Sequence, residues 1–408
     1  MTHPADTTST SRTPRADLAP DCRHYRGDKP CHKNQLCRGC NSYQPWTSRI
    51  CIIKLGALGD VIRTLCILPA LRKRYPNAEI TWVSKANGCN MIAGHDLIDR
   101  VLEFNAVNAM VLARQTFDVV ICLDKEVEPA ALAMSMSAGR RLGVGLSEHG
   151  TPTPQNPEAQ VYFHLGLSDD LKFRDNTKTY PQLIHEALGL TYVRQRYTLP
   201  TSDIATQLMA SRLTAAGWSS DRPTIGINVG AGRVFANKMW PATFTTQVIA
   251  KLQKQQPEAQ LLLLGGPDEQ RDARLIVEAS RRLGMTPPLF VGADFTEPDF
   301  VALVSHCDVL LSGDTMAMHV AIALGKQTVV FFGPTCEQEI DLFDRGEKLI
   351  ARTACGPCYK RTCNHDDVCL SAFQPDDVAD AVARAMGRPP ARVSLPIHIA
   401  TPERTHAA

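Results

Sequence analysis

The sequence predicts an α/β protein built from two doubly wound, parallel-sheet domains. Three observations lead there. Short apolar runs rich in Val, Ile and Leu lack the polar alternation of half-exposed strands, as expected of strands buried on both faces. Helix-length stretches separate these runs. The same strand–helix order appears twice, before and after a break near residue 200.

In the first half, "RICIIKL" (49–55) is the first buried strand. Residues 60–75 read as a helix that Pro69 kinks. "EITWVS", "RVLEF" and "DVVICLD" supply three further strands, and "RLGVGL" a fifth. Residues 147–180 carry Pro152, Pro154 and Pro157 and read as irregular, on the acceptor side of a cleft, with a helix near 181–188 after them. Thr198–Asp203 reads as a linker. In the second half, "TIGINV" (224–229) is a strand, and Pro241 opens a helix to about Gln255. "AQLLLLGG", "LFVG", "DVLLS" and "QTVVFFG" are strands, while "FVALVSHC", 315–324 and 376–386 are helices.

The expected organisation is a disordered leader at 1–20, a Cys-rich extension at 21–48, a first doubly wound domain at 49–200, a second at 201–386 and a flexible tail at 387–408. A formal net charge of +2 over 408 residues gives no electrostatic footprint for nucleic acid. No run approaches 18 apolar residues, and the N-terminus lacks the apolar region of a secretory signal, so a cytoplasmic location is expected.

In open parallel sheets ligands bind beyond the carboxyl ends of the strands, so the loops there carry the chemistry. The first is "KLGALGDVI", where Gly56 and Gly59 permit a tight turn and Asp60 stands at a helix start. Asp60 is either a helix cap or a functional carboxylate. The G-x-G-x-x-G dinucleotide pattern is absent, and the second strand ends in Ser84 and Lys85 rather than an acid, which argues against a dehydrogenase. The second loop, "NVGAGRVFANKMWP", offers Gly230 and Gly232 as open backbone, with Arg233 and Lys238 as positive charge for a diphosphate. The alternative there is an ordinary solvated loop. The third, "SGDTMAMH", places Gly313, Asp314, Thr315 and Met316 at a helix start, with Asp314 as its expected cap and His319 one turn further on.

Of 14 cysteines, eight fall into two groups. Cys22, Cys31, Cys37 and Cys40 are spaced C-x8-C-x5-C-x2-C, and Cys355, Cys358, Cys363 and Cys369 are spaced C-x2-C-x4-C-x5-C. Four thiolates with a C-x2-C pair suit a structural zinc or an iron–sulfur cluster. Neither spacing is that of a standard zinc finger. Cys51, Cys66, Cys122 and Cys307 lie in apolar runs and read as small buried hydrophobes.

Together, "IIKLGALGDVIRTL", "NVGAGRVFANKMWP", "LLLLGG" and "SGDTMAMHVAIALGKQTVVFFGPT" resemble the heptosyltransferases of glycosyltransferase family 9 over residues 49–386. The resemblance implies a GT-B fold, two Rossmann-like domains facing across a cleft. It implies inverting transfer of a heptose from ADP-heptose to the lipopolysaccharide core, with no catalytic metal. By motif, Asp60 matches the catalytic base, Lys238 the lysine of the K-x-W-P donor loop, and Asp314, Thr315 and His319 the donor loop beside the diphosphate and sugar. Where the family commonly reads "NDSGPMH", this chain has Gly313 for the Asn and Met316 for the Gly, which crowds the donor site. "CGPCYKRTCNHDDVCL" resembles a cysteine-containing tail segment of many members.

The implied partners are a nucleotide-sugar donor and a glycolipid or lipopolysaccharide-core acceptor, with peripheral contact at the inner membrane. Two other readings stay open on the sequence: a nucleotide-sugar epimerase of the same fold, and a metal-binding or redox-sensing protein on an inactive transferase scaffold.

Overall fold

The computed structural model describes residues 17–232, 237–363 and 369–387. Arg233, most of the expected leader and nearly all of the expected tail lie outside them. The chain divides into two compact units between Gln195 and Arg196.

The first unit carries a six-stranded sheet of β1 (Ser48–Ile53), β2 (Ala78–Ser84), β3 (Arg100–Glu103), β4 (Thr116–Cys122), β5 (Ser137–Leu146) and β6 (Pro152–Pro154), in the order β3-β2-β1-β4-β5-β6. The first five pair in parallel, and β6 runs antiparallel to β5. β1 is central. Ile50, Cys51, Ile52 and Ile53 are all fully buried, which is why this strand reads as unbroken apolar sequence.

The second unit carries β7 (Thr224–Asn228), β8 (Gln260–Leu264), β9 (Val309–Gly313), β10 (Gln327–Phe332) and β11 (Gly346–Ile350), all parallel, ordered β11-β10-β9-β7-β8. Its core joins Ile225, Ile227, Leu263 and Leu311 to Val378 and Val382 of the last helix, Pro375–Met386.

The differences from expectation have local causes. The helix after β1 is broken: Leu58–Thr64 passes through a 3-10 turn at Leu65–Ile67 into Leu68–Arg74. Pro69 falls at the start of the second piece, where its missing N–H would lack a partner in any case. "LFVG" is not a strand. Only Leu289 bridges to Leu262, and the segment runs on as a loop. The stretch read as irregular contains β6 and the helix Ala159–His164. β11 was missed because its residues are all half-buried and lack the apolar run of a central strand.

Cys51, Cys66, Cys122 and Cys307 are fully buried, as expected. Burial pushes the thiols of Cys51, Cys122 and Cys307 up to about 12, so they stay protonated and unreactive.

Candidate functional site

Each sheet gathers polar groups at the carboxyl ends of its strands, and each group is built within its own unit. In the first unit β1 ends at Ile53, and Lys54, Leu55 and Gly56 turn into the helix Leu58–Thr64. The turn is pinned from β4. Asp124, two residues beyond that strand, accepts hydrogen bonds from the backbone N–H groups of Leu55 and Gly56 and pairs with the Lys54 ammonium. Both side chains are buried. Burial works against the charge on Lys54, but Tyr180, Asp124 and Asp60 around it favour that charge and hold its pKa well above the ordinary value.

Asp60 lies in the first helical turn, yet it is not the cap. Ala57 occupies the N-cap position, and no side chain bonds to the helix start there. The Asp60 carboxylate instead meets Arg63, with Nη2 2.8 Å from Oδ1, and is 35% exposed. Arg63 is itself held 3.7 Å over the ring of Tyr180. The Tyr180 hydroxyl lies 2.9 Å from Thr64 Oγ1, which donates to the backbone carbonyl of Asp60 at 2.6 Å. Neither Gly56 nor Gly59 has a left-handed φ. Gly56 leaves room for these charges: a Cβ there would stand 3.0 Å from Asp124 Oδ1, so that carboxylate would have to give by a few tenths of an ångström, and in ordinary contact, 3.6 Å, with Asp60 Oδ2.

In the second unit Asn228, at the end of β7, ties two loops together. Its Nδ2 donates to Gly230 O at 2.7 Å, Ser312 Oγ at 3.2 Å and Thr315 Oγ1 at 3.2 Å. Glu269 accepts from the N–H groups of Gly232 and Gly266, each at 2.9 Å. Gly232 has φ +69°, the left-handed region where glycine carries no steric penalty. A Cβ on Gly230 would come within 2.5 Å of the Glu269 carboxyl carbon.

Asp314 does not cap the following helix, Met316–Ala323. Thr315 is its N-cap residue, and Asp314 pairs with Lys238, Nζ to Oδ2 3.3 Å, both largely buried. Gly230, Lys238 and Gly313 line one recess with Asn228 and Trp240. Gly313 has a physical reason: a Cβ there would approach the Lys238 carbonyl oxygen to 2.8 Å. His319 is buried, with Nδ1 3.1 Å from the Tyr197 hydroxyl.

The structure therefore brings Gly56 and Asp60 together in one unit, and Gly230, Lys238, Gly313 and Asp314 in the other. Sequence reasoning missed Lys54, Asp124, Arg63, Asn228, Glu269 and Tyr197 as parts of these sites. Lys54 and Asp124 had a readable signal, since each is a charge placed immediately after a buried apolar run. Glu269 and Tyr197 had none, because their roles depend on tertiary contacts. Among the described residues no three Cys, His, Asp or Glu side chains stand close enough together to hold a metal ion as they are arranged.

Two Rossmann-like units with polar loops at the carboxyl ends of both sheets are the pattern of a GT-B glycosyltransferase. Residues 109–368 match the model for glycosyltransferase family 9 (heptosyltransferase), and the chain belongs to that family. It is 21% identical over 364 residues to lipopolysaccharide heptosyltransferase 1 of Campylobacter coli, covering 83% of this chain and 99% of that protein. Its fold is similar to a glycosyltransferase family 9 structure from Veillonella parvula, with TM-score 0.70, 20% identity and coverage of 84% and 98%. It is also similar to an E. coli heptosyltransferase with ADP, with TM-score 0.54, 19% identity and coverage of 83% and 99%.

Proposed function

We propose that this glycosyltransferase moves a heptose-type sugar from a nucleotide diphosphate sugar, with ADP-heptose as the first candidate, to a lipopolysaccharide core or related glycan. The anomeric centre inverts. Asp60 accepts the proton of the acceptor hydroxyl as that oxygen attacks the anomeric carbon, on the face opposite the departing diphosphate.

One observation carries this reading: Asp60 is a partly exposed carboxylate at the carboxyl end of the central strand, fixed by Arg63 and not used as a helix cap. Arg63 holds this carboxylate through Oδ1. The pinned Lys54–Asp124 turn holds the helix that presents it.

The donor is assigned to the second unit. Lys238, poised on Asp314, is the group that moves onto the diphosphate. The backbone N–H groups of Thr315 and Met316 at the helix start add to it where negative charge develops on the leaving group. This supply of positive charge lets the reaction proceed without a metal at the reacting centre. His319 is fixed by Tyr197 behind that loop and is assigned the sugar side.

The family relationship and the Campylobacter relative support a lipopolysaccharide acceptor, and such an acceptor is presented at a membrane. Among the described residues no helix is long and apolar enough to cross a membrane. Val107, Met110 and Val111, exposed on the helix Ala106–Ala113, support peripheral contact from the cytoplasmic side. Sedimentation with lipid vesicles tests that contact.

The defining experiment is a transfer assay with a panel of nucleotide sugars and truncated lipopolysaccharide acceptors, preceded by thermal-shift screening of the donors. A donor at a hundred times its Kd stabilises by about 2.7 kcal/mol. Heptose appearing on the acceptor from ADP-heptose supports the reading. Turnover of another nucleotide sugar, or conversion of the donor alone without transfer, contradicts it.

A further inference from the structure

The segment before β1 has a fixed conformation but almost no core of its own. From residue 17 to residue 47 the only buried side chain is Ala19, while Leu18 and Leu36 are 63% and 86% exposed. Yet the backbone is ordered into specific turns. Residues 21–24 pair with 43–46, through Arg23 N to Gln44 O at 2.9 Å and Trp46 N to Asp21 O at 2.9 Å. Cys31 to Asn34 and Cys37 to Cys40 each close a turn by a backbone hydrogen bond, with Asn34 and Gly39 in the left-handed region. A piece of this size without an apolar core usually depends on a cross-link or a metal.

What the turns have in common is sulfur. Cys22, Cys31, Cys37 and Cys40 line a single pocket. Three of the four sulfurs receive a backbone N–H: Gln44 N to Cys22 Sγ at 3.4 Å, Gln35 N to Cys31 Sγ at 3.5 Å, and Ser42 N to Cys40 Sγ at 3.3 Å. As thiols, Cys31 also donates to Gln35 O at 3.4 Å and Cys40 to Gln35 Oε1 at 3.3 Å; once deprotonated on a metal, the sulfurs keep the N–H donors that commonly hold such thiolates. The charge also fits. Residues 17–48 carry five Lys or Arg and three Asp, a surplus of two positive charges. A divalent ion with four thiolates has a charge of minus two.

We infer that Cys22, Cys31, Cys37 and Cys40 form a structural tetrathiolate site for a thiophilic divalent cation of the zinc or iron(II) class. The four sulfurs are not gathered to metal-ligand distance as they stand, and binding draws them together within the pocket they line. Binding releases the remaining thiol protons and changes no oxidation state. The site is structural because of where it sits. Thr47 N bonds to Asn77 O at the amino ends of β1 and β2, whereas Gly56 and Asp60 follow the carboxyl end of β1. This inference stands independently of the proposed reaction.

The test uses the full-length chain, purified without chelator, with metal per chain measured by elemental analysis. Cys37→Ser/Cys40→Ser is compared with Cys355→Ser/Cys358→Ser and with the parent. The expected result is one metal ion fewer per chain in the first variant than in the parent, whatever the second group of cysteines holds. Cobalt(II) added to the chelator-treated parent should give the ligand-field and thiolate charge-transfer bands of a four-sulfur site, reduced in that variant. Should the variant fail to fold, alkylation of the native parent decides: these four cysteines should be protected until a chelator is added. Equal metal content in the parent and the variant, alkylation without chelator, or disulfides among the four in freshly purified protein would each overturn the inference.

Discussion

Asp124 accepts hydrogen bonds from the backbone of Leu55 and Gly56 while its other oxygen meets the Lys54 ammonium, so one carboxylate at the end of β4 fixes the turn at the end of β1. The helix that carries Asp60 starts from this turn. Removing one partner of a buried ion pair strands the other charge and typically costs about 3–5 kcal/mol. Lys54→Met should therefore lower the urea midpoint sharply. Lys54→Met/Asp124→Asn should recover part of that loss, because no buried charge remains unpaired. A single variant as stable as the parent would remove the pair from this role.

At the donor loop, Lys238 is held by Asp314. Lys238→Ala should weaken nucleotide-diphosphate binding, measured by calorimetry, by the ~1.5–3 kcal/mol of a charge-assisted contact. Lys238→Arg keeps the charge but changes its shape, and should fall between the two. Unchanged affinity in the alanine variant would move the diphosphate elsewhere.

Gly313 lies against the donor loop, where a Cβ would meet the Lys238 backbone at 2.8 Å. Gly313→Ala should displace the Lys238 loop and raise the donor KM more than it lowers kcat. An alanine variant with parental KM would show that the loop gives way without cost.

Much of this was legible in advance. The buried strands announce themselves because Ile50–Ile53 and Leu261–Leu264 are apolar on both faces, and the polar loops after them follow from the topology. Other features were hidden for physical reasons. Asp60 and Asp314 both look like helix caps in sequence, but the N-caps are Ala57, three residues before Asp60, and Thr315, just after Asp314, and each carboxylate has found a cation instead. Tyr180, which holds Arg63, lies 117 residues away from it, and no local pattern connects them. The half-buried edge strand β11 lacks the apolar signature that marked the central strands.

His185 is fully buried, with Nδ1 2.7 Å from the Pro181 carbonyl oxygen. Burial holds its pKa below the ordinary value, with the hydrogen bond to Pro181 opposing in part. The folded chain thus keeps this ring neutral where the unfolded chain, titrating near 6.5, takes up a proton. The sign follows: its contribution is full above about pH 6.5 and is lost as pH falls from there toward the folded value. Urea titrations at several pH values should show stability falling over that window, and less steeply in His185→Gln. A parental slope in that variant would assign the acid sensitivity to other groups, such as His306, which burial shifts the same way.

The central claim is that Asp60 is the general base, and Asp60→Asn tests it most directly. The substitution keeps size and polarity and removes the negative charge. The asparagine Oδ1 can still accept from Arg63, which is itself held over the Tyr180 ring, so the variant should stay folded, melt near the parent and bind donor with parental affinity. Single-turnover transfer to acceptor should slow by ~10²-fold or more. Loss of turnover with donor binding and fold intact is the predicted result; an Asp60→Asn enzyme that retains most of its transfer rate would contradict the account.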